Sequence, residues 1–136
     1  MSHKPGEPIH GIVRSTDVTT AVAIPIFTEG SNTARTLGAN EYITIDQIVA
    51  VHAGSGDLHI FLGPDGTAGT GETVTRGVVS ESGGIVADDL HKVGLLGETP
   101  WVASDTAGTV DVIFMGRIRQ RDIGLRPSWR EDQAPS

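Results

Sequence analysis

Glu41-Tyr42-Ile43-Thr44-Ile45-Asp46-Gln47-Ile48-Val49-Ala50-Val51-His52-Ala53 runs into Gly54-Ser55-Gly56 and continues as Asp57-Leu58-His59-Ile60-Phe61-Leu62. This stretch decides the fold class. Its β-branched residues alternate with period two, which puts successive side chains on opposite faces of an extended chain. Ile43 and Ile45 share one face, with Tyr42 on the other, and Ile48 begins a second register. A single extra residue near Asp46-Gln47 reconciles the two patterns, because a bulge shifts the alternation by one. Leu58, Ile60 and Leu62 form the inward face of the following strand, and Gly54-Ser55-Gly56 is the turn between them. The pair reads as a β-hairpin.

Toward the C-terminus, Gly63-Pro64-Asp65-Gly66-Thr67-Ala68-Gly69-Thr70-Gly71 forms no regular element and is expected to be an exposed loop. Thr73 to Val79 reads as a strand weakened by Gly77. Ile85 to Leu96 holds either a short strand or one helical turn around Asp88-Asp89. Pro100-Trp101-Val102-Ala103-Ser104 is a short strand with Trp101 read as core, and Thr109 to Ile118 is the clearest strand of the chain. Toward the N-terminus, Val18, Thr20, Val22 and Ile24 alternate as one face of a strand. Pro25 has no amide hydrogen to give a ladder, so that strand lies at a sheet edge or bends there before Ile26-Phe27. Thr28 to Asn40 reads as a long loop. About eight short strands joined by glycine-rich turns predict an all-β protein, a single β-sandwich of jelly-roll type. The expected organisation is an N-terminal arm over residues 1–8, a sandwich domain over 9–118 and a basic, proline-containing tail over 119–136. Ala53-Gly54-Ser55-Gly56-Asp57-Leu58 is echoed fifty-four residues later by Ala107-Gly108-Thr109-Val110-Asp111-Val112, which suggests equivalent turns in the two halves of the sandwich. A closed barrel is the other option.

Composition agrees and removes whole classes of function. Eighteen glycines against two methionines in 136 residues favour turns over helices. The chain has no cysteine, which excludes disulfides, thiolate metal sites and a cysteine nucleophile. No apolar run approaches the ~18 residues of a membrane helix, and Met1-Ser2-His3-Lys4-Pro5-Gly6 lacks the apolar core of a signal peptide, so a soluble intracellular product is expected. The net charge of −7 argues against nucleic-acid binding by the body of the protein. The charge is unevenly spread. Residues 1–116 hold five basic and fourteen acidic groups, whereas 117–136 hold five arginines against three acids. Such a tail either stays solvated or docks on a neighbour's acidic surface through the forked donors of arginine.

No constellation declares a reaction. His52 and His59 flank the Gly54–Gly56 turn and as cross-strand neighbours would supply two imidazoles, but a third metal ligand is missing. Asp88-Asp89 with Glu81 or Glu98 is a nominal carboxylate pair, yet adjacent strand residues point to opposite faces. The glycine-rich 63–72 loop lacks the ending of a phosphate loop, and its Asp65 and Glu72 do not match a helix-loop-helix calcium motif. No serine sits in Gly-x-Ser-x-Gly. Trp129, within Arg126-Pro127-Ser128-Trp129-Arg130, has the composition of an interface anchor or folds back on its own domain.

Glu41-Tyr42-Ile43-Thr44-Ile45, Ala53 to Phe61, Pro100-Trp101-Val102-Ala103-Ser104 and Ala107 to Val112 closing on Gly116-Arg117-Ile118 together resemble the small β-sandwich head decoration, or cement, proteins of tailed bacteriophages. The resemblance covers roughly residues 40–118 and is a pattern of turns and strands without a signature motif. It implies a structural virion protein, not an enzyme and without cofactors. Such a protein adds to the exterior of the head after host-cytoplasmic assembly, binds the major capsid protein and forms a homo-oligomer, commonly a trimer, with no nucleic-acid or membrane partner. On that reading Pro5, Pro8 and His10 at one end, and Arg117, Arg119, Arg121, Arg126, Trp129 and Arg130 at the other, are the candidate protein-interaction residues. The alternatives are a carbohydrate- or receptor-binding sandwich of a phage tail or baseplate, which needs exposed aromatics or calcium, and a cupin-like metal enzyme, which needs histidines converging with a carboxylate.

Overall fold

The computed structural model describes residues 6–67, 71–80 and 83–121. Among them are ten strands and no helix: β1 (Glu7–Ser15), β2 (Val22–Ala23), β3 (Ile26–Thr28), β4 (Glu41–His52), β5 (Gly56–Gly63), β6 (Glu72–Val79), β7 (Gly84–Ala87), β8 (Lys92–Val93), β9 (Thr99–Ser104) and β10 (Val110–Gln120). Two antiparallel sheets form a sandwich. One has the order β3-β1-β10-β4-β7, with β8 also pairing β4, and the other has the order β2-β9-β5-β6. The all-β sandwich expected from the alternation is therefore what the chain forms.

Alternation places the core. Ile43, Ile45, Ile48 and Ala50 of β4, with Val110, Val112, Phe114 and Ile118 of β10, face Leu58, Ile60 and Leu62 of β5 and Val102 of β9. The bulge lies where the two registers of β4 required it. Met115 pairs with Gln47 but Gly116 with Ile45, so Asp46 is the extra residue. Gly11, opposite Phe114 on β1, is a close approach to a buried side chain of the core. A Cβ there would overlap Cδ2, Cε2 and Cζ of the Phe114 ring, so the bare backbone is what lets the ring lie flat across β1.

Several expectations are corrected. β4 and β5 are not a hairpin, because they belong to different sheets and the Gly54–Gly56 turn carries the chain across the sandwich. The echoed turn at 105–109 does the same between β9 and β10. The two crossings touch, with Ala53 N–H donating to Thr109 O at 2.8 Å and Asp57 N–H to Asp105 Oδ1 at 2.8 Å. Gly108, at φ +140°, is left-handed where a side chain would press on His52. The alternation from Val18 to Ile24 yields only the two-residue β2. Asp17 accepts from Thr19 N–H at 2.9 Å and from Thr19 Oγ1 at 2.6 Å, a local turn that outcompetes the ladder. Pro25 acts as expected, because the chain leaves edge strand β2 of one sheet and enters edge strand β3 of the other around it. Trp101 lies outside the inter-sheet core. It stands beside Phe61 on the far face of the smaller sheet, donates its indole N–H to Gly63 O at 3.3 Å, and touches the 63–67 loop at Gly66. Residues 85–96 form two short strands, β7 and β8, and no helical turn.

Candidate interaction surface

β1 and β10 are adjacent over their full length, Glu7↔Ile118 to Ser15↔Val110, at the centre of the larger sheet. Inward residues of β10 alternate with Asp111, Ile113, Met115, Arg117 and Arg119 on the outer face. The expected interaction residues fall on or beside this pair. Pro8 lies opposite Arg117, and His10 lies opposite both Met115 and Phe27, stacking on the Phe27 ring with centroids 5.6 Å apart. Pro8 and His10 therefore belong to a strand paired on the body, since β1 begins at Glu7, and Arg119 belongs to β10, which runs to Gln120. Pro5, Arg126, Trp129 and Arg130 lie outside the described residues.

Gly6 and the last residues of β10 meet at one end of this strand pair. Arg117 Nη1 donates to Gly6 O at 2.8 Å, and a Cβ on Gly6 would meet Arg117 Cβ and Ile118 O at 3.0 Å and Arg119 Cγ at 3.1 Å. Arg121 N–H donates to Asn40 O at 2.8 Å, which holds the end of β10 against the 28–40 loop. That loop is itself pinned by Arg35. Its guanidinium forks onto Glu41 at 3.0 and 2.9 Å, reaches Glu7 Oε1 at 3.0 Å and donates to Thr36 O. Hydrogen bonding to Arg35, with help from the Gly38 N–H, holds the Glu41 carboxyl down to about 2. This end of the sheet, at Gly6 and Arg121, is thus tied to the body by charge-assisted bonds.

The other half of this outer face is apolar. Register sets Ile12 opposite Ile113, Ile113 opposite Val49 and Val49 opposite Val86, a row across β1, β10, β4 and β7. Arg14 and Asp111 close one side as an ion pair at 2.8 Å. Beside them lies a shallow depression of about 450 Å³ lined by Thr16, Val51, Ala53 and Thr109, open to solvent and unable to enclose a small molecule.

The histidines do not converge. His52 points between the sheets, fully buried, whereas His59 lies on the far face of the smaller sheet, with Nε2 2.9 Å from Thr73 Oγ1 and its ring against Phe61. Burial pushes the His59 imidazole below its ordinary value, and Arg76 adds repulsion. His52 Nε2 is 3.0 Å from Ser104 Oγ, a contact that resembles a nucleophile and its base. The polarity is reversed, however. Gly54 N–H donates to His52 Nδ1 at 3.0 Å, so the neutral ring carries its proton on Nε2 and gives it to Ser104. With Thr106, whose hydroxyl donates to Ser55 O, this network clips the two sheet-crossing turns together. Asp88 and Asp89 sit exposed between β7 and β8, with Asp89 at φ +54°. Among the described residues no group of three or more His, Asp or Glu is placed to hold a metal ion, and no helix is long and apolar enough to cross a membrane. No known protein family, curated protein or solved structure matches the chain.

The basic end of β10 was legible from charge alone, because the arginines cluster after residue 116. The apolar outer row has no counterpart among the expectations from sequence. Its signal was present in Val49-Ala50-Val51 and Ile113-Phe114-Met115, where apolar residues occupy both faces of one strand.

Proposed function

We propose that the chain is a non-enzymatic structural protein of a virion. It binds the outer surface of a phage capsid and ties neighbouring major capsid subunits together. The observation that carries this reading is the contact of Gly6 with the end of β10. Gly6 lies against Arg117 and Arg119, so residues 1–5 and 122–136 join a rigid body at adjacent strand ends, beside the exposed Pro8. Two segments leaving one point can reach different subunits at once, and their contacts add through effective concentration rather than through a deep pocket. Arg117, Arg119 and Arg121 bring positive charge to that point on a chain of net charge −7, which suits carboxylates on a second protein. The strand orders β1-β10-β4-β7 and β2-β9-β5-β6 support the jelly-roll form of the sandwich.

The test is uptake by capsids freed of their accessory protein. It compares the full chain with one ending after Arg121, which leaves β10 whole. The full chain should bind, with affinity falling as salt rises. The shortened chain should bind at least about tenfold more weakly, a loss of about 1.4 kcal/mol. Equal binding by both would remove the clamp. Uptake by polysaccharide and not by capsids would replace this reading with a carbohydrate-binding one.

A further inference from the structure

The outer face of the larger sheet carries the one register-matched apolar row that the described residues leave in solvent. Ile12, Ile113, Val49 and Val86 are 44–78% exposed, with Met115 on one flank and Val51 on the other. Exposed apolar side chains are ordinary when scattered singly, whereas a contiguous row on the central strands of a rigid sheet marks a contact surface. We propose that this face packs against the same face of a second copy of the chain, giving a two-fold, sheet-to-sheet dimer. The proposal does not depend on the capsid reading.

Charge and symmetry select a second copy as the occupant. The chain carries −7, yet in the three rows from His10 to Arg14 the charged side chains are Arg14 and Asp111, which pair with each other, and Asp46, which the bulge sets beside Gln47 at one edge of the face, 3.5 Å from His91. Two copies can therefore meet here with little of the like-charge repulsion that their acidic surfaces impose elsewhere, while a strongly charged partner finds little complement. A two-fold axis parallel to the strands reverses the row onto itself. Ile12 then meets Val86 of the partner subunit and Ile113 meets Val49 of the partner subunit, the reciprocal matching that an isologous interface requires. Three outward positions on each of β1, β10 and β4, two on β7 and one on β3, at ~4.8 Å between strands and ~6.8 Å along them, give a face of roughly 400 Å². Two such faces remove roughly 800 Å² from water, below the ~1,000 Å² of a stable complex, so the association is a weak one, formed only at high protein concentration.

Sedimentation equilibrium of the full chain tests this. The expected result is twice the monomer mass of 14.2 kDa at about 100 µM protein, falling to the monomer mass at about 1 µM. Ile113→Lys, on a half-exposed position, should be monomeric at both concentrations with an unchanged unfolding midpoint. Val49→Lys is the second variant should the first not fold. Val78→Lys, on β6 of the other sheet, should leave the dimer intact. A wild-type chain that is monomeric at both concentrations would overturn the proposal. So would a trimer, which a single self-matched face cannot build, or a Val78→Lys chain that dissociates as readily as Ile113→Lys.

Discussion

Gly11→Ala is the most direct probe of how the sandwich is assembled. The new methyl group would occupy space held by the edge of the Phe114 ring, which is fully buried between the sheets and has no room to swing away. Two effects favour the substitution: alanine narrows the unfolded ensemble by about 0.4–1 kcal/mol, and a buried methyl contributes about 0.8 kcal/mol. Against them stands the overlap with three ring atoms, which forces either an off-rotamer Phe114 or a displaced β1. Overpacking of this kind costs about 1–3 kcal/mol, occasionally more, and the absence of any free direction puts this site at the upper end. The net expectation is a loss of about 1–2 kcal/mol, read in urea as a lower midpoint with an unchanged slope. Phe114→Leu alone should also destabilise, through the cavity that it leaves. The double variant should recover at least about 1 kcal/mol relative to the sum of the singles, because removing the ring removes the clash. Additive losses would refute the argument, since they would mean that β1 and the ring do not compete for the same space.

The remaining predictions concern the buried network and the titrating groups. His52→Leu leaves the Gly54 N–H without its acceptor and removes the donor to Ser104, so it should cost about 2–4 kcal/mol in urea denaturation; a loss under about 1 kcal/mol would mean that the crossing turns are not clipped by it. His59 is depressed by burial first and by Arg76 second, so the folded state holds fewer protons than the unfolded chain just below pH 6.5. Stability from this site is complete above that value and declines as pH falls through it. His59→Gln, which keeps a partner for Thr73, should flatten that limb of a stability-against-pH curve. Glu41, held down to about 2 from 4.5 mainly by Arg35, stabilises the fold above 4.5 and loses that contribution as pH falls toward 2. Glu41→Gln should remove this acid limb, and Arg35→Met should shrink it to the part that the Gly38 N–H supplies.

How much was legible in the sequence differs between the two halves of the surface. The arginines after residue 116 could be counted, and the register of β1 against β10 then set Pro8 beside Arg117 at the end where Gly6 is held. The apolar row could not be read in the same way, because Ile12, Val49, Val86 and Ile113 are up to 101 residues apart and become one feature only when four strands align. The supposed histidine pair failed for a related reason. His52 and His59 are seven residues apart, which suits two arms of a hairpin, but the turn between them changes sheets and sends the rings to opposite sides of a β-layer.

Local chemistry by itself determined that this chain makes strands, that the alternation slips near Asp46-Gln47, that Pro25 marks an edge or a bend and that the positive charge gathers at one terminus. Each of these follows from the residues within one or two turns of the chain. Only the tertiary structure decided which strands became neighbours. A short glycine turn closes equally well onto the same sheet or across to the opposite one, so the turn residues at 54–56 and 105–109 are silent on the choice. The choice was made by the insertion of β10 between β1 and β4, a pairing that joins the first and last strands and buries Phe114 against the one position where β1 has no side chain.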